Sequence, residues 1–195
     1  MKGPFVSRAG QKLAHALEAF GVDPGGMVCA DFGCNVGGFT DCLLQRGAAR
    51  VFALDTGYGI LDWTLRKDPR VVVMERTNAM HAPRPEGVEI GLVAIDMAWT
   101  PQRLAVPAAL RWLSASAAAR IVTLVKPHYE SSSTGGRPKE GVLSESEAAE
   151  VMERVIGAMP GLGVSVLGAT LSPLIGGGKS KGAGNVEYLM LLARG

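Results

Sequence analysis

A glycine-rich segment after the first apolar run carries the most informative spacing in the chain. Residues 31–39 read DFGCNVGGF and lead from a predicted strand into a predicted helix. At such a turn the backbone passes close to a ligand, and glycine permits that approach. The spacing differs from the dinucleotide-binding fingerprint, because aligning Gly33 with its second glycine puts Asp31 and Val36 at the first and third. A carboxylate there would repel a pyrophosphate, so the segment favours a cofactor with a cationic end.

Asp55 is a second acidic residue at a position suited to cofactor binding. It ends the predicted strand Val51–Asp55, 22 residues after Gly33. A carboxylate at the end of the second strand of such a unit accepts hydrogen bonds from the ribose hydroxyls of an adenosine. An adenosine joined to a cationic amino-acid end describes S-adenosyl-L-methionine. The alternative is a glycine-rich turn that only allows tight packing of the strand on the helix.

Seven continuous apolar runs alternate with amphipathic segments over most of the chain. They predict the strands Met27–Phe32, Val51–Asp55, Val71–Met74, Ile90–Ile95, Ile121–Val125, Val164–Leu167 and Val186–Leu192. Continuous apolar runs are typical of a parallel sheet with helices on both faces. Because no helix separates the last two runs, we expect the final strand to be antiparallel. We therefore predict one α/β domain, 1–195, with an N-terminal helix in 1–21 and a core at 27–195.

Capping and breaking residues predict where helices begin and end. Thr100 is expected to cap a helix with Pro101 at its first position, and Pro107 should kink or divide that helix. Ser144 and Glu147 form a predicted capping box for a later helix. Further helices are predicted at Ser7–Phe20, Gly37–Arg46 and Leu61–Lys67, and glycine-rich loops at Ser131–Gly141 and 176–184.

Four stretches of the chain match a known family. They are SRAGQKLAHAL at 7–17, GGFTDCLLQRGAARVFALDTGYGILDWTLRKDPRVVVMERTN at 37–78, LVKPHYE at 124–130 and SPLIGGGKSKGAGNVEYLML at 172–191. In these stretches the chain closely resembles the TlyA/hemolysin-A group of FtsJ-like ribosomal RNA 2′-O-methyltransferases, which use S-adenosyl-L-methionine. The resemblance implies a class I methyltransferase fold, a Rossmann-like sheet of seven strands with the last strand antiparallel, in agreement with the apolar pattern.

The resemblance also implies the residues of the active site. The family's catalytic set of two lysines, an aspartate and a glutamate falls on Lys12, Asp96, Lys126 and Glu187. Its cofactor-binding positions fall on Gly37, Phe39, Asp55, Asn78 and Asp96. The glycine-rich segment itself adds Asp31, Gly33 and Gly38 as candidate cofactor-binding residues.

Methylation of a ribose 2′-hydroxyl requires removal of a proton, because a protonated hydroxyl is a poor nucleophile. A positioned base typically contributes ~10²–10⁴-fold in rate. We expect Lys126 to be that base or, alternatively, a cation that positions the hydroxyl. A second ammonium from Lys12 would favour a neutral Lys126 amine, whereas the carboxylates of Asp96 and Glu187 would favour the charged form. The sequence alone leaves this balance open.

Two departures from the family concern RNA recognition. Members of the group usually carry an RNA-binding S4-like domain ahead of the SRAG segment, whereas this sequence starts at that segment. We therefore expect RNA affinity to come from elsewhere or the substrate to differ. In addition, residues 97–100 read MAWT after Asp96, where the group usually has a Ser-Phe type sequence. That difference bears on the identity of the target.

Basic and aromatic residues supply candidates for RNA contact. The basic candidates are Arg8, Lys12, Arg137, Lys139, Lys179 and Lys181. The last four lie in the glycine-rich loops, which can close over a phosphate backbone. Tyr58, Trp63 and Trp99 could each stack on a base, but we expect them to lie in the core or to line the adenine pocket.

Composition and charge limit the classes of protein that fit. The formal net charge of +2, from 20 basic and 18 acidic residues, excludes a histone-like polycation. The apolar runs are too short to span a bilayer, and the first residues lack a secretory core. Three cysteines without a CxxC spacing make a zinc site unexpected and indicate reduced thiols. We expect a cytoplasmic protein whose partner is ribosomal RNA or a ribosomal subunit, with no metal, membrane or DNA.

Two other functions stay open at this point. The chain could be a non-catalytic relative that binds S-adenosyl-L-methionine or RNA, although the intact set of four catalytic residues argues against this. It could also methylate a small molecule, which the missing S4-like domain would suggest.

Overall fold

A seven-stranded sheet lies at the centre of the structure, a computed structural model that describes residues 3–130, 142–176 and 184–195. The strands are β1 Val28–Phe32, β2 Arg50–Leu54, β3 Val71–Met74, β4 Leu92–Ile95, β5 Arg120–Val125, β6 Val164–Leu171 and β7 Tyr188–Arg194. The α-helices are α1 Ala9–Phe20, α2 Gly38–Gln45, α3 Trp63–Arg66, α4 Gln102–Trp112, α5 Pro127–Glu130 and α6 Glu145–Ala158. A short 3-10 turn, Pro160–Leu162, precedes β6.

The strand order is β3-β2-β1-β4-β5-β7-β6. The first five strands in this order are parallel, and β7 runs antiparallel to both of its neighbours. The predicted class I methyltransferase sheet is thereby confirmed. The inner strands are buried almost throughout, which explains their continuous apolar runs. By contrast, β6 lies at an edge, and its exposure alternates along the strand.

Two hydrophobic clusters fill the two faces of the sheet. On one face α1 and α2 contribute apolar side chains such as Leu13 and Leu43. On the other face α4 and α6 pack around Trp112. The indole ring contacts Phe32 edge-on, with ring centroids 5.4 Å apart, and its Nε1 donates to the carbonyl oxygen of Ala82 at 3.0 Å. Each face is therefore closed by helices, and the site must form at an edge.

The register of the central strands brings their carboxyl ends together. Phe32 of β1 lies opposite Leu54 of β2 and Ile95 of β4. Ile95 in turn lies opposite Thr123 of β5. The residues that follow these strands therefore emerge side by side, where parallel α/β sheets bind their ligands.

One prediction about a helix boundary is wrong. The helix predicted to be capped by Thr100 instead starts at Gln102, and Pro101 occupies the N-cap position. The cap comes from elsewhere in the chain, because the carboxylate of Glu130 accepts the Gln102 backbone N–H at 2.8 Å. Pro107 does not divide the helix, which continues to Trp112.

Most other boundaries move by a residue or two, whereas β6 continues four residues beyond the predicted end at Leu167. The first helix begins at Ala9 rather than Ser7, and the last strand begins at Tyr188, so that Glu187 precedes it. The capping box of Ser144 and Glu147 is confirmed, with both reciprocal hydrogen bonds present. The loop predicted at Ser131–Gly141 and most of the loop at 176–184 lie outside the described residues.

Candidate active site

Two adjoining cavities open at the carboxyl edge of the central strands. The larger has a volume of about 370 Å³ and the smaller about 220 Å³. Both are lined by Gly33, Asn35, Asp96 and Ala98, so they form one continuous cleft. The cleft lies where the parallel strands β1 and β4 end, which is the expected ligand position in this class of sheet.

Gly33 makes the turn out of β1 possible. Its φ of +86° lies in the left-handed region, and a Cβ atom there would stand 2.6 Å from the carbonyl oxygen of Asp96. The backbone after β1 therefore packs directly on the backbone after β4, and only glycine fits. Gly33 lines both cavities, as expected of a cofactor-binding position.

The other residues of the glycine-rich segment have different surroundings. Phe39 is buried and lines the smaller cavity. Gly37 and Gly38 are not among the described residues that line either cavity. A Cβ atom on Gly38 would lie 2.9 Å from the backbone nitrogen of Gly10 in α1. Gly38 thus allows α1 and α2 to approach closely, a helix–helix contact that differs from the strand–helix packing named as the alternative in the sequence analysis.

Asp55 follows the last residue of β2 and lines the larger cavity, together with Asn78. Its carboxylate accepts hydrogen bonds from the backbone N–H groups of Asn35 at 2.9 Å and Gly57 at 2.8 Å. These bonds fix the carboxylate at the cavity wall. A fixed carboxylate and a carboxamide in one cavity fit the ribose diol and the base of an adenosine, so the donor set suits S-adenosyl-L-methionine.

Asp31 is fully buried in β1. Its Oδ2 accepts a hydrogen bond from the Thr40 hydroxyl at 2.7 Å, while its Oδ1 has no hydrogen-bond partner among the described residues. Burial raises the pKa of Asp31 to about 7, and the bond from Thr40 opposes that increase. The orphaned oxygen suits a bound cationic group, but Asp31 is not among the described residues that line the two cavities. Its contact with the cofactor stays a prediction.

Lys126 and Asp96 form an ion pair at the wall of the smaller cavity. The Lys126 Nζ donates to the Asp96 Oδ1 at 2.6 Å and lies 3.5 Å from the carbonyl oxygen of Met97. Asp96 immediately follows β4 and Lys126 immediately follows β5, which explains how two residues 30 positions apart meet. Both side chains are only partly exposed, so a ligand in the cleft can reach them.

Lys12 and Glu187 form a second, buried ion pair. The two side chains are 7% and 4% exposed and join α1 to the residue before β7. The four residues that the sequence predicted as one catalytic set are thus two lysine–carboxylate pairs. The expectation that Lys12 contacts RNA phosphate is wrong, because its ammonium is buried against a carboxylate. Arg8, by contrast, is exposed.

The three candidate aromatic residues are more exposed than expected. Tyr58, Trp63 and Trp99 are 69%, 66% and 73% exposed, so none of them lies in the core. Trp99 lines the larger cavity, and its Nε1 donates to the hydroxyl of Tyr129 at 3.1 Å. Of the three, Trp99 lines the cleft and is placed to stack on a base, whereas Arg76 and Lys67 lie over the rings of Tyr58 and Trp63.

Asn35 is the site residue that the sequence analysis missed. It lines both cavities, and its backbone N–H holds Asp55. Its φ of +48° is in the left-handed region. An asparagine inside a glycine-rich turn is a usable signal for such a position, since asparagine adopts this conformation more readily than most residues.

The structure also bears on the cysteines, on metal binding and on membrane-spanning helices. Cys29, Cys34 and Cys42 are free and buried, and burial raises the pKa of the Cys29 and Cys42 thiols to about 12. In residues 3–130, 142–176 and 184–195 no His, Cys, Asp or Glu cluster could hold a metal ion. No helix in those same ranges is long and apolar enough to cross a membrane.

Several known proteins are similar to this chain over most of its length. TlyA of Mycobacterium tuberculosis, a 16S/23S rRNA (cytidine-2′-O)-methyltransferase, is 42% identical over 189 residues, covering 96% of this chain and 68% of that protein. Hemolysin A of Brachyspira hyodysenteriae is 35% identical over 95% of this chain and 75% of that protein. The solved structure of a candidate hemolysin from Streptococcus thermophilus superposes with a TM-score of 0.87. It is 36% identical and covers all of this chain and 68% of that one.

A family model described as FtsJ-like methyltransferase matches residues 5–194, nearly the whole chain. This match supports S-adenosyl-L-methionine as the cofactor, as Asp55 and the glycine-rich segment predicted. It also confirms the resemblance seen in the four sequence stretches. The chain belongs to the FtsJ-like methyltransferase family.

Proposed function

We propose that the protein transfers a methyl group from S-adenosyl-L-methionine to a ribose 2′-hydroxyl of ribosomal RNA. The observation that carries the proposal is one cleft with two chemically different ends. Asp55 and Asn78 line one cavity, and the Lys126–Asp96 pair lines the other. A pocket that suits an adenosine thus adjoins a pocket in which Lys126 could accept or donate a proton.

Asp55, Asn78 and Gly33 would hold the cofactor, with Asp31 as a further candidate toward its amino group. S-adenosyl-L-methionine supplies an activated methyl group when it is bound. The task of this chain is therefore to orient the acceptor hydroxyl and to help its proton leave. In that task Lys126 is the candidate catalytic residue, because its Nζ reaches the cavity wall.

Lys126 acts either as the base or as a cation that positions the hydroxyl. The carboxylate of Asp96 accepts a hydrogen bond from the Lys126 Nζ at 2.6 Å and holds that nitrogen in place for either role. For the base role, Lys126 must first give up a proton as the acceptor binds.

The Lys12–Glu187 pair lies next to the residues of the N-terminal segment that line the smaller cavity. Neither residue is among the described residues that line the two cavities, but Ser7 and Ala9, just before Lys12, line the smaller one. The buried pair anchors α1 and so fixes that wall. We propose for Lys12 and Glu187 this anchoring role in the catalytic set.

The RNA substrate is proposed from the relatives. TlyA of Mycobacterium tuberculosis is named for methylation of cytidine in ribosomal RNA. Exposed Trp99 at the mouth of the cleft and exposed Arg8 are compatible with an RNA strand. We place the protein in the cytoplasm, with ribosomal RNA or a ribosomal subunit as its partner.

The test offers labelled S-adenosyl-L-methionine with three acceptors in parallel: naked ribosomal RNA, intact ribosomal subunits and free nucleosides. We expect label in RNA, resistant to alkaline cleavage at the methylated nucleotide because its 2′-hydroxyl is blocked. Label only in nucleosides would favour the small-molecule alternative. Cofactor binding without any transfer would favour the non-catalytic alternative.

A further inference from the structure

Two side chains outside the cleft connect the segments that carry Asp96 and Lys126. We infer that Gln102 and Glu130 form a clamp that fixes the spacing of the Asp96–Lys126 pair. They are then positioning residues for the methyl transfer proposed above, and the inference rests on that function. We use the word clamp for Gln102 and Glu130 together with their hydrogen bonds.

The two catalytic candidates lead into short segments. Residues 97–101 connect Asp96 to Gln102 at the start of α4, and residues 127–129 connect Lys126 to Glu130 at the end of α5. The distance of 2.6 Å between the charged groups depends on how these segments are held against each other. Because the links are short, anchors at 102 and 130 restrict both.

Glu130 joins the end of α5 to the start of α4. Its Oε1 accepts the backbone N–H of Gln102 at 2.8 Å. The N-cap residue of α4 is Pro101, which has no side-chain acceptor. A helix N-terminus carries unpaired N–H groups and a partial positive charge, so a carboxylate from another segment stabilises it.

Gln102 joins the start of α4 to β5. Its side chain is buried, and its Nε2 donates to the carbonyl oxygen of Leu124 at 3.2 Å. Its Oε1 accepts from the hydroxyl of Thr123 at 2.7 Å. Thr123 is itself fully buried and paired between β4 and β7. Gln102 is therefore fixed to a rigid strand two residues before Lys126.

These contacts close a ring through the site. From Asp96 the ring runs along residues 97–101 to Gln102, across its side chain to β5, and on to Lys126, which pairs with Asp96. A misplacement of about 1 Å can reduce a reaction ~10²-fold. In the described part of the chain, Gln102 and Glu130 line a separate cavity of about 170 Å³ rather than the cleft. Their loss should therefore affect the transfer step and leave cofactor binding intact.

The experiment compares three clamp variants with a matched control. Gln102→Met and Glu130→Ala remove the hydrogen bonds, whereas Glu130→Gln keeps an acceptor oxygen. The control is Arg194→Ala, because the Arg194 guanidinium anchors the other end of α4 through the carbonyl oxygens of Leu110 and Leu113, both at 3.0 Å. Single-turnover transfer of labelled methyl to ribosomal subunits, KM for subunits and calorimetric cofactor affinity are measured for each.

We expect the transfer rate of Gln102→Met and Glu130→Ala to fall at least ~10-fold, part of the ~10²-fold that misplacement can cost. KM and cofactor affinity should stay within a few-fold of wild type, and Glu130→Gln should retain most of the rate. Wild-type rates in the first two variants would overturn the inference. An equal loss in Arg194→Ala at equal loss of stability would overturn it as well.

Amide hydrogen exchange on the same proteins gives a readout that does not need activity. Loss of either clamp residue should speed exchange at the start of α4, where the N–H groups of Gln102, Leu104 and Ala105 are hydrogen-bonded, and in 128–130 together. If the wild type methylates neither ribosomal subunits nor naked ribosomal RNA, the proposed function fails and exchange alone decides about the clamp. Joint acceleration then supports the clamp, and unchanged exchange in the two segments rejects it.

Discussion

Pairing changes what each lysine of the site can do. The ammonium of Lys12 lies against Glu187, and that of Lys126 lies against Asp96. The sequence analysis considered repulsion between the ammonium groups of Lys12 and Lys126. Each of these groups is paired with a carboxylate, which offsets that repulsion. An acceptor hydroxyl in the cleft meets a lysine that a carboxylate holds in place. The base and cation roles of Lys126 then differ in one property, the need to lose a proton.

Substitution of Lys126 separates these roles. Lys126→Ala should fold and bind cofactor, while the chemical step falls by at least ~10²-fold, the lower end of what a positioned base supplies. Lys126→Arg should not rescue the rate if Lys126 is the base, because a guanidinium stays protonated. Single-turnover assays on folded variants decide the matter. An active Lys126→Arg enzyme would exclude the base role and leave the cation role.

Asp55 should control cofactor affinity. Asp55→Ala removes charge-assisted hydrogen bonds to ribose that contribute about 1.5–3 kcal/mol each. Calorimetry should show weaker S-adenosyl-L-methionine binding, with Asp23→Ala, an exposed carboxylate that bonds only its own turn, as the control. Asp55→Asn keeps one of the two acceptor oxygens that bond the Asn35 and Gly57 N–H groups and is the milder test of collapse of the turn. Unchanged affinity in a folded Asp55→Ala protein would contradict the ribose assignment.

Site residues that follow a strand could be predicted, whereas their partners could not. Asp55 and Asp96 stand where a run of apolar residues stops, which is visible in the sequence. The partner of Lys12 lies 175 residues away, and nothing local in either segment reveals it. Lys12 taken alone has the pattern of a solvated helix face, yet its charge is buried because Glu187 compensates it.

At the scale of elements, strands could be predicted better than helix starts. Strand positions follow from burial, which continuous apolar runs report directly. The start of α4 depends on Glu130, which belongs to a different element and replaces the local cap expected from Thr100. The capping box at Ser144 could be predicted because its partner, Glu147, is only three residues away in the sequence.

The buried pair between α1 and β7 should matter for stability. Lys12→Met leaves the Glu187 carboxylate buried without its cation, and breaking such a pair costs about 3–5 kcal/mol. Urea denaturation measures this loss, and Arg46→Met is the control because its pair with Glu18 is largely exposed. An exposed pair contributes at most about 1 kcal/mol.

The double variant Lys12→Met/Glu187→Leu should recover much of that stability, since replacing both charges with apolar groups is often neutral. Recovered stability without recovered methyl transfer would assign the pair a role in the reaction itself. Recovery of both would restrict it to anchoring α1.

For the whole molecule, the carboxyl groups of Asp31 and Glu130 predict how the free energy of unfolding depends on pH. Burial raises the pKa of Asp31 and of Glu130 from their ordinary values of 3.8 and 4.5 to about 7. The folded chain then takes up protons near neutral pH that the unfolded chain takes up only in acid. The free energy of unfolding should therefore rise as pH falls from 8 toward 5, by at most ~1.4 kcal/mol per pH unit and proton.

Urea denaturation across that range checks this dependence. The double variant Asp31→Asn/Glu130→Gln should flatten it, whereas Glu150→Gln, on the exposed face of α6, should not. In stronger acid the sign reverses, because the Arg66 guanidinium lowers the pKa of Glu75 to about 2 and that stabilisation is lost as the pH falls toward it. A wild-type profile that is flat between pH 5 and 8 would contradict the assignment.

RNA binding should be sensitive to salt. For single strands the log–log slope of affinity against salt is about −0.7 per phosphate neutralised. Replacing Lys179 and Lys181 by Ala should flatten the slope, although both lie outside the described residues. Arg50→Ala, exposed at the amino end of β2 and thus away from the cleft, is the control. Anisotropy titrations at several salt concentrations measure the slope, and a salt-independent affinity would favour the small-molecule alternative.

The buried pair between the first helix and the last strand also sets the moment at which the protein becomes competent. During synthesis Lys12 leaves the ribosome 175 residues ahead of Glu187. Until the final strand follows, Lys12 has no ion-pair partner and the antiparallel strand β7 is missing from the sheet. If Lys12 and Glu187 anchor the wall of the cleft as proposed, that wall is completed only after the last strand has been synthesised.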